Sequence, residues 1–127
     1  MGLWELKKIL GTQIIVEVTN CNAEVLNDEP FLHALLLKAC KIGGAGIISS
    51  QSHKFKPQGV TILVLLSTSH ASMHSWPECG YLAIDVFSCG RHVKTKKIVE
   101  HIQENIDGTY RIKITKRGMP SKRKEKI

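Results

Sequence analysis

The chain has 127 residues, a mass of 14.2 kDa, 43% hydrophobic residues and a formal charge of +7 at pH 7. That length supports one domain with a sizeable core and is too short for two. No apolar run approaches the roughly 18 residues that cross a bilayer, and we expect neither a signal peptide nor a membrane anchor. The basic excess is concentrated in residues 116–127, for which we predict a flexible tail without specific affinity for nucleic acid. Four cysteines in a chain without export signals favour reduced thiols and a cytoplasmic location.

The predicted elements alternate between strands and helices in an order typical of an α+β fold. Residues 11–20 are rich in β-branched side chains and predict a strand, and residues 27–44 predict a helix capped by Asn27 or Asp28. The remaining elements are strands at 45–55, 60–66, 69–76 and 81–88, a helix at 94–106 and a strand at 109–115. Hairpin-length connections predict a two-layer sandwich, with a mainly antiparallel sheet and two helices on one face. Residues 1–115 are therefore predicted to form the single domain.

The strand at 69–76 carries an unusual number of reactive side chains. Ala71 and Met73 are predicted to point into the core, whereas the alternate positions point to the open face of the sheet: His70, Ser72, His74 and Trp76. Solvent contact alone would account for polar residues on an open face. A zinc site is not favoured because no C-x2-C pair is present, and a serine hydrolase is not favoured because no strand-turn-helix elbow presents a serine.

The segment STSHASMHSWPECGYLAIDVFSCG, residues 67–90, resembles the processing and catalytic segment of the prokaryotic S-adenosylmethionine decarboxylase proenzymes. That family carries a serine, a histidine five residues later, a TWPE-x-GY turn and a D-[LV]-[FY]-[TS]-C-G strand end. The corresponding features here are Ser69, His74, SWPECGY at 75–81 and DVFSCG at 85–90. The similarity extends over roughly residues 11–106.

The resemblance implies that the chain cleaves itself between Thr68 and Ser69, giving two chains, 1–68 and 69–127. Ser69 would attack the Thr68 carbonyl, Thr61 would stabilise the oxyanion, and His74 would act as the base that removes the Ser69 α-proton. We expect a bend near Ser69 to bring its α-carbon within reach of the His74 imidazole. Ser69 would thereby become a covalent pyruvoyl group, the cofactor implied in place of pyridoxal phosphate and without a metal.

The resemblance also implies a substrate and its contacts. The pyruvoyl carbonyl would bind the amine of S-adenosylmethionine as a Schiff base, and Cys89 would donate the proton that replaces CO2. Glu78 matches the residue that binds the ribose hydroxyls, and Phe55 matches the aromatic residue that stacks on adenine, with core packing as the alternative for Phe55. The product would supply aminopropyl groups for spermidine synthesis, and the enzyme would be a homodimer of two-chain protomers.

Three departures from the family pattern leave alternatives open. Thr68 replaces the glutamate that usually precedes the serine, GTQ at 11–13 replaces GRH, and the C-terminus is unusually basic. The alternatives are a pyruvoyl-dependent arginine or ornithine decarboxylase of the same family, or an unprocessed, inactive homologue that acts by association with a partner.

Overall fold

The computed structural model describes residues 6–89 and 93–120, which form one antiparallel sheet with helices on one face. The strands are β1 Leu6–Thr19, β2 Ile47–Lys54, β3 Val60–Leu66, β4 Ser69–Trp76, β5 Tyr81–Ser88 and β6 Thr109–Pro120. The helices are α1 Ala23–Leu26, α2 Glu29–Ile42 and α3 Thr95–Asn105, and a 3-10 turn at Pro77–Cys79 joins β4 to β5. The strand order is β2-β3-β4-β5-β1-β6, and all five neighbouring pairs are antiparallel. The predicted α+β sandwich is confirmed, and none of the helices in the described residues has both the length and the hydrophobicity to span a membrane.

Two strand boundaries differ from the prediction by five residues, and both lie at the same end of the β1–β6 pair. β1 begins at Leu6 rather than at residue 11, and β6 continues to Pro120 rather than ending at residue 115. The two strands pair from Thr19↔Thr109 to Leu6↔Pro120. The local pattern of residues 6–10 and 116–120 is too weak to predict a strand, and the hydrogen bonds between the two segments stabilise both of them. Residues 116–120 therefore belong to the sheet, and residues 121–127 of the predicted tail lie outside the described residues.

Helix α2 begins and ends where its capping residues predict. The Asp28 side chain accepts a hydrogen bond from the Phe31 amide at 3.1 Å, and Gly43 caps the C-terminal end. The buried face consists of Leu32, Leu35, Leu36, Ala39 and Cys40. Burial also raises the pKa of the Cys40 thiol to about 11, so this cysteine is a core side chain rather than a reactive one.

The alternation along β3 and β4 determines which face of the sheet is covered. Ala71 and Met73 are buried in the core as predicted, whereas Leu63 and Leu65 are 53% and 51% exposed on the other face. Ser75 is a polar exception on the buried face, and its hydroxyl donates to the Leu26 carbonyl oxygen at 2.6 Å. This bond attaches α1, a short helix that the sequence did not predict, to the sheet. The opposite face of β3, β4 and β5 is left without helices and is called the open face below.

Tyr110 attaches the C-terminal end of α3 to β6, and its loss is expected to destabilise the fold. Its hydroxyl donates to the Ile106 carbonyl oxygen at 2.7 Å, and burial raises the pKa of the phenol to about 12. We expect Tyr110→Phe to lower the free energy of unfolding by about 1 kcal/mol at pH 8, measured by urea denaturation. Because the unfolded phenol titrates near pH 10, this stabilisation is complete below pH 10 and is lost as pH rises toward 12. The difference between wild type and variant should therefore shrink at pH 11; a difference that grows would contradict the assignment.

Candidate active site

The candidate active site consists of two clusters at opposite ends of β4, and the histidine cluster lies on the open face. The cleavage cluster consists of Thr68, Ser69 and Cys89. The histidine cluster consists of Thr61, His74 and Trp76. Both clusters are built by the antiparallel register, which places position 69 opposite 88 and position 74 opposite 61.

The cleavage cluster occupies the tight turn between β3 and β4. Only residues 67 and 68 separate the two strands, so the Thr68–Ser69 bond lies at the start of β4. Ser69 has a φ of 151°, a backbone conformation that residues with a side chain rarely adopt. Ser67 and Thr68 form the hairpin turn itself, and Ser69 is the first residue of β4.

Cys89 provides both hydrogen-bond donors of the Thr68 carbonyl oxygen. Its backbone N–H donates at 3.0 Å and its thiol donates at 2.9 Å. Two donors that converge on one carbonyl oxygen are the arrangement that stabilises an oxyanion when that carbonyl is attacked. The Thr68 hydroxyl lies 3.4 Å from the Ser88 hydroxyl, at the end of β5.

The histidine cluster is held by one hydrogen bond and a row of aromatic rings. The Thr61 hydroxyl and His74 Nδ1 are 3.1 Å apart, and the ring centroids of His74 and Trp76 are 6.4 Å apart. The ring centroids of Trp76 and Tyr81 are in turn 5.4 Å apart, and the Tyr81 hydroxyl donates to the Glu17 carboxylate at 2.8 Å. Burial, followed by the adjacent Glu17 carboxylate, raises the pKa of Tyr81, so this phenol stays protonated near neutral pH.

Phe55 and Glu78, the predicted substrate-binding residues, lie at the histidine end of the open face. Phe55 follows β2 and is 48% exposed, which excludes simple core packing as its explanation. Its ring contacts His53 edge-on at a centroid distance of 4.6 Å, and His53 pairs with Thr61. Glu78 is exposed on the 3-10 turn that directly follows Trp76. An exposed aromatic ring and an exposed carboxylate therefore lie on the segments that follow β2 and β4.

The two clusters do not meet within one chain. His74 follows Ser69 by five positions along a continuous strand, which corresponds to roughly 16 Å. The register runs without interruption from Ser69↔Ser88 to Trp76↔Tyr81, so the bend expected near Ser69 is absent. Thr61 contacts His74 at its own end of β4, and the donors at the Thr68 carbonyl come from Cys89 instead.

A third group on the open face was not found from the sequence. Arg117 of β6 places its guanidinium carbon 5.1 Å from the centroid of the Phe87 ring and donates to the Gln13 side chain at 3.3 Å. Gly11 makes room for the Phe87 ring, because a side chain at this position would lie 2.7 Å from it. The Arg117 guanidinium thus lies at the end of the sheet where GTQ replaces GRH. Arg117 belongs to the segment predicted as a tail, and the sequence pattern of that segment does not indicate a residue of the sheet.

The fold and the two clusters define an α+β protein with a candidate self-cleavage site at a hairpin turn, and comparison with known proteins identifies its family. A sequence model of S-adenosylmethionine decarboxylase matches residues 12–118. The S-adenosylmethionine decarboxylase proenzyme of Methanococcus maripaludis strain S2 is 46% identical over 97 residues, which cover 76% of this chain and 80% of that protein. The proenzyme of Thermodesulfovibrio yellowstonii is 39% identical over 119 residues, covering 93% of this chain and 88% of that protein.

A solved structure shows the same similarity in three dimensions. The crystal structure of the adenosylmethionine decarboxylase from Aquifex aeolicus superposes with a TM-score of 0.82 at 29% identity, covering 94% of this chain and 99% of that one. The chain therefore belongs to the S-adenosylmethionine decarboxylase family, as the resemblance in the sequence indicated.

Proposed function

We propose that the protein is a self-processing, pyruvoyl-dependent S-adenosylmethionine decarboxylase of polyamine synthesis. The observation that carries this proposal is the Thr68 carbonyl, which is held by two Cys89 donors and followed directly by the serine of the hairpin turn. The four free thiols are consistent with a reducing compartment, so we assign the reaction to the cytoplasm.

Self-cleavage would begin when Ser69 Oγ attacks the Thr68 carbonyl carbon. The carbonyl oxygen takes up the negative charge, which the Cys89 N–H and thiol stabilise, and the peptide nitrogen leaves as an ester forms. His74 then removes the Ser69 α-proton, the ester C–O bond breaks, and Thr68 keeps a carboxylate. Hydrolysis of the dehydroalanine left at position 69 releases ammonia and leaves the pyruvoyl group. The new chain ends would stay adjacent because β3 and β4 pair along seven positions from Val60↔Ser75 to Leu66↔Ser69.

The residues at the hairpin suit a pyruvoyl group at position 69. When present, that group supplies a carbonyl that accepts electrons as CO2 leaves a bound amino acid. Cys89 is the proposed proton donor because its thiol already lies at the scissile carbonyl, 2.9 Å from Thr68 O. Position 69 begins β4 close to the Cys89 thiol, so a pyruvoyl group there would provide the electron acceptor in place of a metal or pyridoxal phosphate.

A homodimer would solve the separation of the two clusters. The midpoint between Ser69 and His74 falls next to Ser72, so a two-fold axis crossing β4 there would lay position 69 of one copy over positions 74 and 75 of the other. Sheets packed face to face lie about 10 Å apart, a gap that the His74 side chain of one copy and the hairpin turn of the other would bridge. The open face has the apolar surface for such packing, with Leu63 and Leu65 about half exposed on it. We therefore propose that His74 and Thr61 act on the Ser69 of the partner copy.

Phe55 and Glu78 favour S-adenosylmethionine over arginine or ornithine as the substrate. An exposed aromatic face and a two-oxygen acceptor suit adenine and a ribose diol, whereas a basic amino acid has neither group. The product would be the decarboxylated nucleoside that donates aminopropyl groups in spermidine synthesis.

Substitution at these two positions should impair substrate binding without affecting self-cleavage. We expect Glu78→Gln and Phe55→Ala each to lower kcat/KM for S-adenosylmethionine by about 10-fold to 100-fold, mainly through KM, because each removes one ribose or adenine contact. The fragments 1–68 and 69–127 should form as in wild type. Ile48→Ala, at an exposed position on β2, should change neither kcat/KM nor cleavage. An unchanged KM in both variants would remove the basis for the nucleoside assignment.

The function as a whole is tested by intact mass and by substrate-dependent release of CO2. We expect two fragments in place of one 14.2 kDa species, and CO2 from S-adenosylmethionine but not from arginine or ornithine. Cleavage with CO2 from arginine or ornithine would establish the other decarboxylase. A persistent single chain without activity would establish the inactive homologue.

A further inference from the structure

We propose that the outer edge of β6 and the cleft beside it bind an extended polypeptide segment in which apolar and acidic residues alternate. The segment would add a seventh strand to the sheet. This surface is separate from the two clusters of the candidate active site, and the inference does not depend on the proposed function.

β6 is an edge strand with an available backbone. Among residues 6–89 and 93–120 no strand pairs with its outer side, and β1 occupies only its inner side. Its pairing with β1 is regular from Thr19↔Thr109 to Thr12↔Lys116, and the register shifts occur only beyond that segment. A regular edge of this length presents a row of unpaired amide and carbonyl groups, which is the feature that strand addition uses.

The helix layer leaves the β6 side of the sheet incompletely covered. Tyr110 contacts the end of α3, but Ile112 and Ile114 are 45% and 61% exposed although they point to the same side. Together with Ile14 and Val99 they line a cleft of about 310 Å³ between β6 and α3. A strand added beside β6 would place every second side chain next to these isoleucines, so apolar residues are required at those positions.

The alternate positions of β6 determine the charge of the partner. Arg111 and Lys113 lie on the other side of the strand, and residues 109–120 contain no acidic residue. Pairing with β6 of a second copy would set these cations beside one another, and residues 121–127 of the same chain are themselves basic. Charge complementarity therefore selects a partner segment with acidic residues at the positions that alternate with its apolar ones.

The test uses the full chain and a fluorescent nine-residue peptide in which valine and glutamate alternate. We expect saturable binding that weakens with salt, and slower amide hydrogen exchange in β6 when the peptide is bound. A peptide of the same composition with all its glutamates at one end should bind about tenfold more weakly, because it cannot match the two sides of the strand. N-methylation of the alternate peptide residues whose amides face β6 should abolish binding. N-methylation of the intervening residues, whose amides face away from β6, should leave binding unchanged.

Two pairs of variants separate this edge from the opposite one. Ile114→Glu and Lys113→Glu should each weaken binding about tenfold. Their controls, Ile48→Glu and Lys54→Glu, lie on the other edge strand β2, and Ile48 is 62% exposed, so both should leave binding unchanged. Equal binding of the two glutamate peptides, or equal losses in all four variants, would overturn the proposal in favour of unspecific attraction between charges. Concentration-dependent assembly that Ile114→Glu abolishes without any peptide would overturn it in favour of a second copy.

Discussion

Replacing Ser69 with alanine is expected to leave the chain as one species of 14.2 kDa without decarboxylase activity. The Ser69 hydroxyl is the proposed nucleophile at Thr68, and the same residue provides the carbon skeleton of the pyruvoyl group. No other side chain can supply an equivalent electron acceptor, so the loss of activity should be complete within detection, about 10⁴-fold or more. Intact mass measures cleavage, and CO2 release from S-adenosylmethionine measures turnover.

Ser67→Ala is the matched control for this experiment, because Ser67 is the other serine of the same hairpin and its side chain is exposed. This variant should still yield fragments 1–68 and 69–127 and keep activity close to wild type. Cleavage of the Ser69→Ala chain would exclude Ser69 as the nucleophile, whatever the result for Ser67→Ala. Circular dichroism of both variants would establish that each has folded.

Two inactive variants are expected to restore activity when they share a dimer. Ser69→Ala lacks the nucleophile and His74→Ala lacks the base, so each homodimer should be uncleaved and inactive. In a mixed dimer, the intact Ser69 of one chain would face the intact His74 of the other, which completes one of the two sites. Random pairing gives half mixed dimers, so co-expression should restore about one quarter of wild-type activity and cleave about half of the His74→Ala chains.

The matched control is a chain that carries both substitutions, co-expressed with the wild type. A mixed dimer then has one site with an intact serine facing an altered histidine and one with the reverse, so neither site is complete. Activity should fall to about one quarter of the wild-type value, from the remaining wild-type homodimers alone. If each site formed within one chain, the mixture of the two single variants would stay inactive. The mixture of the double variant with the wild type would keep half of the wild-type activity. The roughly 16 Å between positions 69 and 74 on one strand is the structural reason to expect the first result.

The hairpin turn also bears on Thr68, which stands where the family resemblance leads us to expect glutamate. Cleavage needs the carbonyl of residue 68, and the donors to that carbonyl come from Cys89 rather than from the residue 68 side chain. The Thr68 hydroxyl instead lies near the Ser88 hydroxyl at the end of β5. With threonine at position 68, the Thr68 carbonyl therefore accepts both hydrogen bonds from Cys89.

The sequence by itself determined the features that depend on short-range pattern. Alternation placed Ala71 and Met73 in the core and His74 on the open face, and the Asp28 cap defined the start of α2. The spacing of Ser69, His74 and Cys89 indicated the family, because a motif preserves residue identity and spacing along the chain. It does not preserve the direction or distance between side chains, so the site roles assigned to these residues stay predictions.

The tertiary structure decided the features that depend on partners distant in sequence. Pairing with β1 extends β6 through residues 116–120, whose local pattern predicts a tail, and this pairing carries Arg117 to the open face beside Phe87. The unbroken register of β4 separates Ser69 from His74, although five residues in a flexible segment could have brought them together. A backbone in a sheet is held straight by hydrogen bonds to both neighbouring strands, and those neighbours are specified by the whole chain rather than by the segment itself.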